Sequence, residues 1–583
     1  MNHTTSPVTG FRRRFRGNRL SAASLVLLVG PLPVHVSILH AASSAVPPAI
    51  SISVSPDAPA DTVVPADQAT LTQAAEFAWE QFIAANWPAV VQTGAVNTRG
   101  VPNPASVFGD QSGPLVWHTY RSKVEMFTNN PPGTSYNSTT QSLQFDFDAA
   151  PQYPYQLSVS SGVSPAPAST AWINLDETTQ IGLDQLFAGS TPLPYPSPTH
   201  NSQPQQIRYL AKVNRPYFNY VTANGLFNHG TDPNGVSYNQ YLLNYRTAIA
   251  TNQQPAAGNP IVQLPVGTVM VKSAWRLLGP NDQASHYHTT TVRFYEKNSS
   301  GQIVYYQEQN WGMIALHIVV KTPSAPAFIF ATFEQADNIR LANGTSVEDA
   351  DGNIVAAPSA SSPTTPAIAH TDTPTQTTTT ATGPFPDLPS STDQRLFYRN
   401  LPPSLPTGPI AVNRRFEAIP PDIIAVNQAA HAAIAAYDTA NGVTDSPWPY
   451  YKLVNVQAQP LQPADATTQP ATYFQANSVV ETDYTLGQFA GILISTGSES
   501  GQTSNFSGGQ PAFNVHLPIL GGSGYKAYNS GGCMGCHGNA QVAGTDFSFT
   551  LNEGPVLAPD VPVSDTQDIE ALIGRYGVQP TAK

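Results

Sequence analysis

The chain has 583 residues, only 11% of them charged, with a net charge of −12, 55 prolines and 2 cysteines. So little charge among so much Pro, Thr, Ser and Asn fits an exported protein rich in loops and β structure, and the acidic balance argues against nucleic acid or anionic membrane as a partner. The length exceeds what one hydrophobic core usually holds, so two or three domains are expected.

Residues 1–45 read as a signal peptide. Arg12, Arg13, Arg14, Arg16 and Arg19 form a basic region, Leu20 to Leu39 an apolar one, and small residues at Ala41 to Ala45 suit a peptidase. Arg12-Arg13-Arg14-Phe15 also resembles a twin-arginine signal, but general secretion suits a chain exported unfolded. Pro31, Pro33, His35 and Ser37 interrupt the apolar stretch. No later run approaches the ~18 apolar residues of a spanning helix, so the mature chain is expected without a stable membrane span, in the periplasm. Residues 46–66, rich in Pro, Ala, Val and Ser, read as a disordered lead-in.

An α+β domain is expected over 67–343. Thr70-Leu71-Thr72-Gln73 resembles a capping box, and Leu71, Ala75, Ala78, Phe82 and Ala85 recur at helical spacing. That helix should stop near Asn86-Trp87-Pro88, because the residue before a proline avoids the α region. Residues 204–227 read as a helix kinked or broken at Pro216, and 239–251 as a shorter one. Five β-branched and aromatic runs follow: Thr268 to Leu277, His286 to Lys297, Ile303 to Gln309, Ile314 to Thr322 and Phe328 to Phe333. Runs so close together pair most simply as an antiparallel meander.

From 344 to 392 the sequence turns to Pro, Thr, Ser and Ala and reads as a linker or long excursion. Residues 393–583 form a C-terminal region, mostly helical or irregular. Asp422 to Thr439 carries Ile423, Val426, Ala430, Ile434 and Tyr437 on one helical face, and a short helix is expected near Asp565 to Arg575. The fold class is therefore α+β: a large N-terminal domain of helices and antiparallel strands, then a region carrying the chemistry. No propeller-blade period is visible.

That chemistry is written in Cys533-Met534-Gly535-Cys536-His537, a C-x-x-C-H motif that uses both cysteines of the chain. Two thiols three residues apart can add to the two vinyl groups of one porphyrin, and the adjacent imidazole then becomes the proximal iron ligand. Gly531, Gly532, Gly535 and Gly538 would let backbone approach a flat macrocycle. The other readings of C-x-x-C are a thioredoxin-like couple, half a zinc site and a short disulfide. The first lacks its βαβ context, the second lacks a second Cys pair, and the third closes too short a loop to staple much. The expected cofactor is one covalent haem c, bound through Cys533 and Cys536 with His537 on the iron.

No Met and no His occurs between Gly538 and Lys583. A sixth ligand must therefore come from upstream, or the iron is open. Either way the haem is expected to dock on the large N-terminal part. Met313 and His317, four apart, would share one face of a strand, as would His286 and His288, two apart; His516 is near the motif in sequence. Each has an ordinary alternative as core filler or as a hydrogen-bonded structural histidine. Phe333-Glu334 and Glu481-Thr482-Asp483 offer carboxylates no more distinctive than solvated loop acids. There is no Gly-x-Ser-x-Gly elbow, phosphate loop or dinucleotide fingerprint.

The motif resembles the c-type cytochromes. Phe82-Ile-Ala-Ala-Asn86-Trp87-Pro88, Val271-Lys-Ser-Ala-Trp275-Arg276, Leu316-His317-Ile-Val-Val-Lys321-Thr322, Ala331-Thr-Phe-Glu334 and Asp546-Phe547-Ser548 extend the likeness. With them the chain resembles a family of large secreted bacterial single-haem proteins that has no established reaction. The resemblance implies a haem c protein and roles for Cys533, Cys536 and His537, and it implies no substrate. The expected function is electron transfer with a redox partner protein. The alternative is an open-iron haem c enzyme of peroxidase or oxygenase type, acting on a small molecule. A non-catalytic haem-bearing sensor is the third class.

Overall fold

The computed structural model describes residues 49–562, apart from 91–98, 128–146, 179–184, 188–206, 279–282, 337–345, 357–396, 400–417, 463, 469–471, 473–476, 478–479, 481–512 and 521. The expected signal segment, the helix near Asp565 and the acids Glu481 and Asp483 lie outside the described residues. Met1–Ala49 and Ile50–Lys583 separate as two compact units, the second holding every element that follows. No described helix is long and apolar enough to cross a membrane.

The capping box forms as read: Thr70 Oγ1 accepts from Gln73 N–H, Gln73 Oε1 accepts from Thr70 N–H, and helix α1 runs Leu71–Ala85. Trp79 and Phe82 of α1 are fully buried, each contributing roughly 1.5–3 kcal/mol. The lead-in is not disordered over its described part. Ser51 and Ser53 N–H bond Glu76 and Glu80 of α1, while Ile50, Ile52 and Val54 pack on the core. Its apolar residues alternate with polar ones, which lets an extended strip cover α1.

Further helices are α2 (Lys123–Met126), α3 (Arg215–Ala223), α4 (Tyr238–Thr251), α5 (Pro421–Asn441), α6 (Asp465–Thr468), α7 (Gly532–Ala543) and α8 (Phe549–Glu553). The helix expected over 204–227 is corrected in its first half, where Arg208–Val213 is a strand. Pro216 sits in the first turn of α3 and starts that helix instead of kinking it.

The short strands β1 (Arg121–Ser122), β2 (Ser160–Ser161), β3 (Ile173–Leu175) and β4 (Gln185–Phe187) precede β5 (Arg208–Val213). The main block is β6 (Val269–Leu277), β7 (Thr289–Lys297), β8 (Ile303–Val320) and β9 (Ile329–Gln335). Then come β10 (Ser346–Glu348), β11 (Ile354–Ala356), β12 (Phe397–Arg399), β13 (Tyr451–Gln457), β14 (Phe513–Pro518) and β15 (Tyr525–Ser530). The fold is mixed α+β. Nine strands make one sheet, ordered β1-β5-β6-β8-β7-β3, with β9 and then β13 continuing from β8 and β2 also pairing with β8. It is not a simple meander. Two expected strands merge into the 18-residue β8, long enough to pair β6 along one edge and both β7 and β9 along the other.

The stretch expected as a linker holds instead a hairpin, β10–β11, whose residues 348–352 are buried. Lys452 on β13 forms an ion pair with Glu348 at 2.8 Å and donates to Asp349 O, while His431 on α5 meets Asp351 at 2.6 Å. The sheet itself crosses the expected boundary, since β13 pairs with β9. Acidic residues in a Pro/Thr-rich context read as solvated; here they meet buried Lys452 and His431 from the other side of that boundary.

Two residues of β9 show how the sheet is covered. Phe333, paired with Leu453, packs on Trp79 (5.2 Å) and Phe82 (4.4 Å) of α1. Phe330, three residues away and so on the opposite face, packs 4.8 Å from the ring of His537 on α7. Helices α1 and α5 join through Trp79 Nε1, which donates to Asn427 Oδ1 at 2.8 Å.

Candidate functional site

Helix α7 carries the C-x-x-C-H motif in its first two turns, with Gly531 as N-cap and Gly544, in the left-handed region, as C-cap. Residues three and four apart on a helix are neighbours, so Cys533, Cys536 and His537 share one face. The cysteines are not joined in a disulfide; Cys536 is buried and Cys533 half-buried.

Two of the surrounding glycines have a different use from the one expected. A Cβ on Gly535 would lie 2.3 Å from Ser530 O, and one on Gly532 would lie 2.7 Å from Gln457 Oε1. Both spaces are filled by protein, so these glycines let α7 press against β13 and the end of β15. Gln457 fixes the helix start: its Oε1 accepts Met534 N–H at 2.8 Å and its Nε2 donates to Gly531 O at 3.2 Å. Gln541 ties the other end to β14, accepting from His516 N–H and donating to His516 O.

The imidazole of His537 is oriented by its backbone surroundings. Its Nδ1 lies 2.8 Å from Phe547 O, and since a carbonyl only accepts, Nδ1 carries the proton. The lone pair is then on Nε2, which makes no hydrogen bond among the described residues. Burial, with Lys272 nearby, lowers the ring to about pH 4 for protonation, against the opposing pull of the Phe547 hydrogen bond. A carbonyl can fix the second nitrogen of a ligating histidine in this way.

The loop that presents this carbonyl is held from the N-terminal part. Asp546 and Phe547 both take positive φ (49° and 65°), a conformation costly for a bulky residue. Asp546 is anchored by a buried ion pair to Lys321 (2.6 Å) and by Leu264 N–H (2.7 Å). Tyr217 OH meets Ser548 Oγ at 2.9 Å on the far side of Phe547.

Opposite α7 lies one face of the sheet. Lys272 on β6 pairs directly with His317 on β8, and His317 with Thr332 on β9; Phe330 is two residues from Thr332 on the same face. Phe549 of α8 closes the other flank of His537, at 5.0 Å. Burial above all, with Lys272 and then His537 nearby, lowers His317 to about 3, so its ring is neutral.

The remaining sixth-ligand candidates lie elsewhere. A bulge between Ala274 and Trp275 inserts Ile314 into β8, so strand alternation does not put Met313 and His317 on one face. Met313 is fully buried in the main core, while Ile314 and Ala315 belong to a separate cluster. His286 and His288 precede β7 and do not lie within it. His286 stacks on Tyr450 (3.8 Å); His288 Nε2 lies 3.1 Å from His118 Nε2, beside Trp448. The ring of His516 is hydrogen-bonded to Asn252 at 3.0 Å. Glu334 is wholly buried within the sheet.

Phe330 and Gln457 were not singled out by sequence reasoning, and Lys272 stood only inside the phrase Val271-Lys-Ser-Ala-Trp275-Arg276. Lys321 and Asp546-Phe547 stood among the phrases that carry the resemblance, without a role. No family model, curated protein or solved structure matches this chain.

Proposed function

We propose that this chain is an exported c-type cytochrome that holds one covalent haem and passes electrons to a redox partner protein. The observation that carries the reading is the set on α7: two thiols and an imidazole Nε2 on one helical face, with Nδ1–H already committed to Phe547 O. The donor set fits haem c: Cys533 and Cys536 would hold it through thioether bonds, and His537 would offer Nε2 to the iron. The bound haem would supply a one-electron iron couple.

The protein's own part is positional. Gln457, Gln541 and the tight packing of Gly532 and Gly535 hold α7 to the sheet. The Lys321–Asp546 pair fixes the loop whose carbonyl sets the tautomer of His537. Phe330 and Phe549 flank the ring and shield it from water.

The test is haem staining of denatured protein from the exported fraction after acid–acetone extraction. Stain should persist in the parent chain and vanish in Cys533→Ala/Cys536→Ala. Haem that extracts from the parent refutes the reading. Immediate carbon monoxide binding by the untreated ferrous protein would favour the open-iron enzyme.

A further inference from the structure

We propose that α4, the C-terminal end of α7 and the β14–β15 turn form the face on which the redox partner docks, and that this partner is an acidic protein; the proposal rests on the electron-transfer reading above. Four of the ten large apolar residues exposed among the described residues gather on these elements. They are Leu243 on α4, Val542 on α7, and Ile519 and Leu520 in the β14–β15 turn, each 44–54% exposed. Exposed apolar residues scattered singly are ordinary, whereas a group rimmed by polar residues marks an interaction surface.

Bonds between the elements make the face continuous. The Arg246 guanidinium donates twice to Ala543 O, at 2.9 and 2.7 Å, and Gln541 Nε2 donates to Tyr245 OH at 3.1 Å, which joins α4 to α7. Tyr525 N–H donates to Asn252 O at 3.2 Å, which seats the start of β15 on the C-cap of α4. At ~1.5 Å per residue, α4 runs about 14 Å from Leu243 to Asn252, and Val542 lies about 7.5 Å along α7 from His537. A face of that length suits the small interfaces of transient electron-transfer pairs, below about 1,200 Å².

Charge decides the kind of partner. The chain as a whole carries −12, yet no Asp or Glu occurs between 234 and 271 or between 513 and 545. The three elements therefore bring the exposed cations Arg246 and Lys526 and no carboxylate of their own. Two carboxylates bonded to their flanks are buried: Asp232 accepts from Tyr241 OH at 2.9 Å, and Asp546 is paired with Lys321. A cationic, apolar face on an acidic molecule attracts and orients an acidic partner, which the net charge of the rest repels.

The probe is flavodoxin, an acidic one-electron carrier, used against purified full-length protein whose covalent haem is first verified on a denaturing gel. In a stopped flow, the rate of haem reduction by flavodoxin hydroquinone should fall at least tenfold as salt rises from about 20 to about 300 mM. Flavodoxin with its carboxylates amidated should react at least tenfold more slowly than the native carrier. Arg246→Glu/Lys526→Glu should lower the low-salt rate at least tenfold, with reduction by dithionite unchanged. Lys526→Glu/Leu243→Asp makes the same test with the Arg246–Ala543 contact intact. Rates that ignore salt, a faster reaction with the amidated carrier, or charge-reversed variants that react like the parent would each overturn the proposal. A dimer of the parent that Leu243→Asp abolishes would give the face to a second copy and overturn it as well. Calorimetry of oxidised flavodoxin reads binding to the same face without the haem, so loss of the stain would count against covalent haem alone.

Discussion

Asp546→Asn isolates the contact that joins the two ends of the fold at the site. The carboxylate lies 2.6 Å from Lys321 Nζ, with both side chains 6% exposed. At an effective dielectric near 20 the attraction at that distance is about 6 kcal/mol before desolvation is charged against it. Asparagine keeps an acceptor for Leu264 N–H and nearly the same volume, so the loss is one of charge. It leaves the Lys321 ammonium buried without its counter-charge, which typically costs about 3–5 kcal/mol. The urea midpoint of the variant should fall accordingly, and the visible spectrum should change as the grip of Phe547 O on His537 loosens. Replacing both partners with Lys321→Met/Asp546→Asn should recover most of the stability, because no charge is then stranded and Leu264 N–H keeps its acceptor. A loss below ~1 kcal/mol in Asp546→Asn, or a double variant no better than the single, would refute the role given to this pair.

Three further outcomes follow from the packing and the buried charges. Gly535→Ala, whose new methyl would lie 2.3 Å from Ser530 O, should cost at least about 1–3 kcal/mol and lower the yield of haem-stained protein; Gly301→Ala, with open space around it, should cost only about 1 kcal/mol for its positive φ, both read from urea midpoints. Burial would raise Glu125, but Arg99 at 3.0 Å and Arg121 at 2.7 Å outweigh it and hold the group at about 2. Its folded value is below the unfolded one, so its stabilisation is present above about pH 4.5 and is lost toward pH 2; Glu125→Gln should flatten that part of the acid unfolding curve. Burial, then Glu177, raises Asp176 to about 7, and there the sign reverses. Stability is lost as pH rises from about 4 to 7, so Asp176→Asn, still able to accept from Tyr155 OH, should be more stable than the parent at pH 8 and not at pH 4.

Local signals survived folding where the chain decides its own conformation. The capping box before α1, the run of α5 and the helix at 239–251 are fixed by neighbours within a few residues. Legibility failed where a distant partner decides. Arg208–Val213 is polar enough to read as helix, yet it lies between β1 and β6 with Arg208 ion-paired to buried Glu296. Glu348, Asp349 and Asp351 read as linker because their partners, Lys452 and His431, are far away in sequence. The bulge at Ile314 is set by pairing with β6, and it alone breaks the expected kinship of Met313 and His317.

The site divides along the same line. Cys533, Cys536 and His537 were legible as a motif, since their chemistry depends on spacing along one helix. Phe547 O was not, because a backbone carbonyl leaves no mark in side-chain identity; its only traces were the phrases holding Lys321 and Asp546. Phe330 meets His537 of α7, and Lys272 and His317 share its sheet face through register across three strands, which periodicity along a single strand does not encode.

The central claim, that Cys533 and Cys536 hold a haem whose iron His537 ligates, is tested most directly by intact-protein mass spectrometry of the exported chain with alkylation of thiols. The account predicts a mass increased by one haem, no alkylation at Cys533 or Cys536, and an alkaline pyridine spectrum of a porphyrin with both vinyl groups saturated. Two alkylated cysteines on a chain of unmodified mass would contradict it.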